Sequence, residues 1–251
     1  MLETIDHPER IRELKLSRPP VNALNTELLR KIIAAVEGAA KEAAIVFTGQ
    51  PGLFSGGLDV RGMLELDRDG VVAMAIEVWR AQRAIAASPV PVIFGITGHS
   101  PAGGTVMAIH GDYRVMALGE FRIGLNEVAV GLFPGAVIHG AFRRLTGGHG
   151  AQLLTRGALV DPATAHRVGL VDELCDPSQV VGRALEVARE MCALPREPML
   201  RTRELARKDL LELFGNPGHA LMKEREFANA IAQTWFSPST QELVRQKFAK
   251  R

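Results

Sequence analysis

Val92-Ile93-Phe94-Gly95-Ile96-Thr97 runs straight into Gly98-His99-Ser100-Pro101-Ala102-Gly103-Gly104. The first six residues are a short apolar run with no polar alternation, the pattern of a strand buried on both faces. Beyond the glycine pair, Ala102 to His110 reads as a helix. The chain does the same thing earlier. Ala43-Ala44-Ile45-Val46-Phe47-Thr48 reads as a buried strand, the turn Gly49-Gln50-Pro51-Gly52 ends it, and Phe54-Ser55-Gly56-Gly57-Leu58-Asp59 follows. Two buried strands, each followed by a glycine-rich turn, argue for an α/β core.

The flanking sequence extends this pattern. Ile11 to Leu16 alternates like a strand, and Pro19-Pro20 stops it. Thr26 is the expected cap of a helix whose apolar positions are Leu28, Leu29, Ile32, Ile33 and Val36. Residues 70–87 fit a helix with Val71, Met74, Val78 and Ile85 on one face, closed by Pro89 and Pro91. Tyr113–Met116 and Phe121–Ile123 are short strand candidates. From Gly131 onward the chain reads as helical, apart from a strand over Leu170–Cys175. No internal repeat, low-complexity tract or long linker is visible. The expected organisation is a core over residues 1–190 and a helical region over 191–251. In that last region Leu221, Phe227, Ile231, Trp235 and Phe248 need cover, either from the chain itself or from a partner subunit.

Composition excludes several classes. The 251 residues are 47% hydrophobic and 23% charged, which is globular rather than disordered. Thirty Lys and Arg against 28 Asp and Glu leave a net charge of +2, so no basic field favours nucleic acid. The two cysteines, Cys175 and Cys192, make neither a disulfide framework nor a zinc site. They read as small core fillers that suit a reducing compartment. The acidic start lacks the features of a signal peptide, and no run of about 20 apolar residues exists to span a membrane. The expectation is a cytoplasmic protein.

Three places could carry chemistry. A helix starting at either glycine-rich turn leaves backbone N–H groups aimed outward, and two such donors meeting at one carbonyl oxygen would form an oxyanion hole. Either turn alone could equally be only a tight turn. Neither has the spacing of a phosphate-binding or dinucleotide-binding loop. The third place is Glu127, almost the only charge in Ile123-Gly124-Leu125-Asn126-Glu127-Val128-Ala129-Val130-Gly131. A carboxylate in apolar surroundings has a raised pKa and suits general acid–base work. A solvated loop residue or a structural ion pair is the competing reading. The seven histidines show no metal-ligand spacing. His99 adjoins the second glycine turn and reads as a structural residue with a possible ligand contact. Arg143-Arg144 and Arg201, Arg203, Arg207 and Lys208 read as solvated helix faces.

Taken together and in order, these motifs resemble the crotonase (enoyl-CoA hydratase/isomerase) superfamily along nearly the whole chain. The resemblance begins at Arg18-Pro19-Pro20-Val21-Asn22-Ala23-Leu24 and passes through Phe54–Asp59, Pro101–Gly104 and Gly111-Asp112-Tyr113-Arg114. It closes with Ala165-His166-Arg167-Val168-Gly169-Leu170-Val171-Asp172. Within the superfamily the stretch from Asp112 to Glu127 looks most like the mitochondrial-type Δ3,Δ2-enoyl-CoA isomerases.

The resemblance implies a crotonase-like spiral of ββα units with a helical C-terminal trimerisation region, as a homotrimer or a dimer of trimers. It implies an acyl-CoA substrate in fatty acid metabolism, with no metal or redox cofactor, since CoA belongs to the substrate. The N–H groups of Leu58 and Gly103 would form the oxyanion hole, and Glu127 would be the catalytic carboxylate. Ser55, Gly56, Gly57, Leu58, Asp59, Val60, Gly103 and Gly104 would contact substrate. Phe248, Lys250 and Arg251 fall near where relatives contact the CoA adenine or phosphate.

Hydratases of this superfamily carry a second catalytic Glu just after the second glycine turn, where this chain has Val106. The turn Gly131-Leu132-Phe133-Pro134-Gly135-Ala136, in contrast, resembles the hydratase version. The single carboxylate favours isomerisation. Hydration, another enolate reaction such as C–C cleavage, and a non-catalytic acyl-CoA binder are the alternatives.

Overall fold

The protein is described by a computed structural model covering residues 1–216 and 218–248. It opens with β1 (Leu2–His7) and β2 (Ile11–Leu16), an antiparallel pair, followed by α1 (Thr26–Glu37). Asn25 rather than Thr26 is the N-cap: its side chain accepts from the Leu28 amide, and Thr26 is already helical. Leu28, Leu29, Ile32 and Val36 are buried, as their spacing predicts, and Ile33 is half-buried.

Three strand–strand–helix units follow. The first is β3 (Ala44–Thr48), β4 (Gly52–Leu53), the single turn α2 (Val60–Met63) and the long α3 (Arg68–Ala86). The second is β5 (Val92–Ile96), β6 (Gly98–Pro101) and α4 (Gly103–Ala108). The third is β7 (Tyr113–Ala117), β8 (Ile123–Gly124), a short 3-10 turn over Glu127–Val130 and α5 (Gly135–Arg156). The remainder is β9 (Leu159–Val160), α6 (Pro162–Arg167), β10 (Glu173–Cys175), α7 (Val180–Cys192), α8 (Arg196–Ala206), α9 (Lys208–Glu212), α10 (Ala220–Trp235) and α11 (Pro238–Phe248).

Each unit gives its first strand to one sheet and its second to another. The larger sheet has the order β1-β2-β3-β5-β7-β10, parallel beyond the first pair. The smaller has the order β4-β6-β8-β9. This is the crotonase spiral of ββα units. It is a repeat of structure that the sequence does not show as a repeat, because the helical parts differ greatly in length and the second strands are only two to four residues long.

The strand expected over Leu170–Cys175 is confined to Glu173–Cys175, with Leu170 and Val171 buried before it. The candidate at Phe121–Ile123 is displaced to Ile123–Gly124. Cys175 and Cys192 are free thiols, half-buried at the edge of the smaller of two apolar clusters.

Most apolar side chains of the helical C-terminal region are covered within the chain. Phe227, Ile231 and Trp235 on α10 are buried, with α10 packed along α3, whereas Leu221 is exposed. Arg203 on α8 and Arg207 just before α9 overturn the expectation of a solvated face, whereas Arg143, Arg144, Arg201 and Lys208 are exposed as expected. Arg203 makes two 2.9 Å bonds to Asp112, and Arg207 adds a third at 2.6 Å. Asp112 also accepts the amide of Val92 at 2.7 Å, so a buried carboxylate fastens these helices to the start of β5. Among the described residues no helix is long and apolar enough to cross a membrane.

Candidate active site

The two glycine turns meet. A Cβ placed on Gly103 would lie 3.2 Å from the Leu58 amide nitrogen, and one on Gly57 would lie 3.3 Å from the Gly103 nitrogen. Only glycine permits so close an approach of two backbones. Neither the Leu58 N–H nor the Gly103 N–H donates to an acceptor among the described residues. Buried amides are nearly always paired, so two neighbouring unpaired donors in a cavity wall mark a place for an outside acceptor. Gly103 stands at the start of α4, where helix N–H groups have no intrahelical partner.

The surroundings fix both donors. Leu24 pairs with the first turn like a strand: its amide donates to the Gly57 carbonyl and its carbonyl accepts from the Asp59 amide, at 2.8 and 2.9 Å. The buried Asn22 donates to the Phe54 carbonyl and accepts from the Arg18 amide. Ser55 donates to the Asn22 carbonyl at 2.9 Å and accepts from the Gly57 amide at 3.1 Å. On the second turn Ala102 holds φ 48 and ψ −117, a conformation costly for any residue with a Cβ. Its amide donates to the Gly124 carbonyl at 2.8 Å, and its own carbonyl accepts from Val106 at 2.8 Å. Thr105 adds bonds to the Ser100 carbonyl and from the Gly124 amide.

Glu127 opens onto the same space. It begins the 3-10 turn after β8, and it lines one apolar cavity together with Leu58, Gly103 and Val106. The cavity holds about 650 Å³ of empty space, counting its mouth. The residue is half-buried, but its Oε2 is shut off from solvent and has no hydrogen-bond partner among the described residues. Burial pushes the carboxyl from 4.5 up to about 7, against a smaller lowering by a backbone hydrogen bond. The carboxyl thus titrates near neutrality, the range that general acid–base work requires.

A groove that carries charged side chains adjoins the cavity at Leu58, the residue that lines both. Gly56, Asp59, Val60, Arg61 and Lys247 line this groove. Asp59 is engaged: it caps α2 through the Gly62 amide and pairs with Arg18 at 2.7 Å. Ser55, Gly57 and Gly104 line neither space and act by supporting the turns; a Cβ on Gly104 would lie 2.7 Å from Ser100 Oγ. Lys250 and Arg251 lie outside the described residues, as does the side chain of Phe248; their neighbour Lys247 is in the groove. His99 faces neither space. Its Nδ1 accepts from the Arg122 amide at 3.1 Å, and its ring packs edge-on against Phe121.

Comparison with known proteins decides the lineage. The family described as Enoyl-CoA hydratase/isomerase matches residues 6–210. The chain belongs to this enoyl-CoA hydratase/isomerase family. It is 33% identical over 208 residues to the mitochondrial enoyl-CoA delta isomerase 1 of Rattus norvegicus, covering 79% of this chain and 71% of that one. It is 32% identical over 191 residues to a probable enoyl-CoA hydratase of Mycobacterium avium, 74% of each. The crystal structure of human mitochondrial delta3-delta2-enoyl-CoA isomerase superposes with a TM-score of 0.90 at 24% identity, over 99% of this chain and 97% of that one, a likeness of fold. The protein is thus an enzyme of the crotonase family, with both isomerases and hydratases among its relatives.

Sequence reasoning missed two features of the site. Gln82 on α3 lines the cavity as its second polar side chain, and the signal was a polar residue on the helix face that carries Val71, Met74 and Val78. Leu24 was read only as part of a motif, and nothing in its sequence signals that its backbone holds Leu58.

Proposed function

We propose that the protein is a Δ3,Δ2-enoyl-CoA isomerase. The observation that carries this reading is the single carboxylate. Among the described residues Glu127 is the only acid lining the cavity, and the wall at position 106 is a valine, where hydratases of the family have a second glutamate.

The thioester oxygen takes its place between the N–H groups of Leu58 and Gly103, and the CoA portion follows the groove past Val60, Arg61 and Lys247. Glu127 removes a proton from C2. The electron pair of that C–H bond moves into the thioester, giving a dienolate whose charge rests on the oxygen. The C2–C3 double bond then forms as C4 takes the proton back from Glu127. Nothing is oxidised or reduced, and the carboxylate is restored. Two N–H donors aimed at the developing charge supply roughly 10²–10³ of rate each, and the base supplies roughly 10²–10⁴ more. These groups complete the chemistry without a metal or redox cofactor. Hydration would need a second group to hold and activate water, and Val106 can do neither.

The turn Gly131–Ala136 keeps hydration as the second reading. Exposed Leu194, Leu205, Leu221 and Met222 in the helical C-terminal region support assembly as a trimer or dimer of trimers. The two free thiols suit the cytoplasm.

Purified protein given 3-hexenoyl-CoA, followed by the absorbance of the conjugated thioester, tests the reading, with 2-hexenoyl-CoA as the parallel hydration assay. Rapid conjugation without hydration is the expected result. Loss of the conjugated signal from 2-hexenoyl-CoA would replace isomerase with hydratase.

A further inference from the structure

The cavity wall along α3 is formed by Val71, Met74, Ala75, Val78, Ala81 and Gln82. These positions follow the helical spacing of one face. From Val71 to Gln82 the face runs roughly 16 Å at 1.5 Å per residue, and Gln82 is the last residue on it. Gln82 is 1% exposed. Its Nε2 donates to the Val78 carbonyl at 3.2 Å, which fixes the amide, since the side-chain oxygen cannot face another acceptor. Oε1 is left buried with no donor among the described residues. The opposite walls give no help: Ile138, Phe227 and Ile231 are apolar. Gln82 lies toward the end of the cavity away from the thioester position: Arg207 binds the carbonyls of Ile85, Ala86 and His110 together, so the end of α3 that carries Gln82 sits beside the end of α4 remote from Gly103.

We propose that Gln82 is a specificity-determining residue that makes the enzyme prefer acyl thioesters carrying a hydroxyl group on the distal part of the chain over methyl-ended chains of equal length. The proposal rests on the reading of this cavity as an acyl pocket. A methyl-ended chain leaves this acceptor unpaired, as it is in the empty cavity. A hydroxyl donates to Oε1 and removes that penalty. The usual cost of one unpaired buried acceptor corresponds to a preference of about tenfold. A cavity built for plain chains has no use for an amide at this depth, where leucine or methionine would fill the same volume.

The experiment compares ω-hydroxy and methyl-ended 3-enoyl-CoA thioesters of six, eight and ten carbons on the wild-type protein and on Gln82→Met. Binding of the matching saturated thioesters is measured by calorimetry alongside. The expected result is a kcat/KM ratio of about ten in favour of the hydroxylated chain for at least one length. In Gln82→Met that ratio inverts, with the methyl-ended chain gaining and the hydroxylated chain losing. A purely structural role would instead lower both chains together and lower the melting temperature. Equal rates for the two chain types at all three lengths would overturn the inference and leave the isomerase reading standing. No turnover of either type, with a hydroxyl preference in binding that Gln82→Met abolishes, would overturn the isomerase reading and leave the inference standing. Absence of any preference in both turnover and binding would overturn it outright.

Discussion

Thr240 Oγ1 donates to the carbonyl of Gly131 at 2.8 Å, which ties the C-terminal helix to the turn that carries Glu127. Gly131 closes that turn with φ 78, and a Cβ there would come within contact of Thr240 Oγ1 and its Cα. The approach is close because position 131 has no side chain. Thr240 is buried there, and Val244 one turn further on is buried as well. The last helix of the chain thus holds the proposed base in place, more than a hundred residues from it in sequence.

Thr240→Val keeps the shape and removes the donor. Stability falls by about 1 kcal/mol. The proposed base loses its fixed position, so kcat falls by up to about 10²-fold. Water reaching Oε2 also moves the midpoint of the pH–rate profile below its wild-type value. A melting curve and a pH profile of isomerisation check both.

Glu127→Gln loses at least about 10² in kcat, as removal of a general base does. It also stabilises the fold at alkaline pH. In the unfolded chain the carboxyl ionises near 4.5, whereas the native state keeps its proton up to about 7. The unfolded state therefore binds fewer protons between these values, and native stability falls as pH rises through that window. Glutamine carries no such cost. Its melting temperature exceeds that of the wild type at pH 8 by more than at pH 5.

Gly103→Ala narrows the proposed oxyanion site. Its Cβ would lie 3.0 Å from Leu24 Cδ1 and 3.2 Å from the Leu58 nitrogen, tight enough to displace a thioester oxygen but not to break the helix. A loss of roughly 10²–10³ in kcat is expected, with little change in unfolding midpoint. Steady-state assay and denaturant titration separate the two.

His110 sets the acid limit. It is fully buried, and its Nδ1–H donates to the Val106 carbonyl at 2.7 Å. Burial lowers its pKa from 6.5 to about 4. The unfolded state takes up a proton near 6.5 that the native state refuses, so stability is complete above that pH and is lost as pH falls toward 4. His110→Gln flattens the decline between pH 6.5 and 4, which a series of thermal melts would show.

Arg207→Leu leaves buried carbonyls and part of Asp112 without a partner. Arg207 bonds Asp112 at 2.6 Å and the His110 carbonyl at 2.6 Å, and it reaches the Ala86 carbonyl at 3.0 Å. Removing one side of a buried ion pair costs about 3–5 kcal/mol. Urea unfolding measures the loss, and Arg207→Lys recovers only part of it because an ammonium cannot reach all three acceptors.

Much of this site was legible from residue types. An isolated carboxylate in Leu125-Asn126-Glu127-Val128 announced its raised pKa, and the paired glycines announced a close approach. Arg203 and Arg207 were misread because periodicity reports which face is polar, not whether another element covers it. Asp112, their partner, lies 91 and 95 positions away. Gln82 was passed over for a related reason: one amide on an apolar face looks like a surface position until the neighbouring helices enclose it.

Sequence alone determined the elements and the chemistry available to them. Apolar runs made β3 and β5 buried strands, helical spacing made α1 and α3 amphipathic, and the order of the motifs identified the family. Tertiary structure decided which groups act together. Leu58 and Gly103 become a pair only because two glycine turns touch. Glu127 titrates near neutrality only because the elements around the cavity, α3, α5 and α10 among them, exclude water from it. Gln82 becomes part of the pocket for the same reason. Backbone geometry and side-chain type are local properties, but desolvation and convergence depend on every element packed around a point, and no local pattern encodes them.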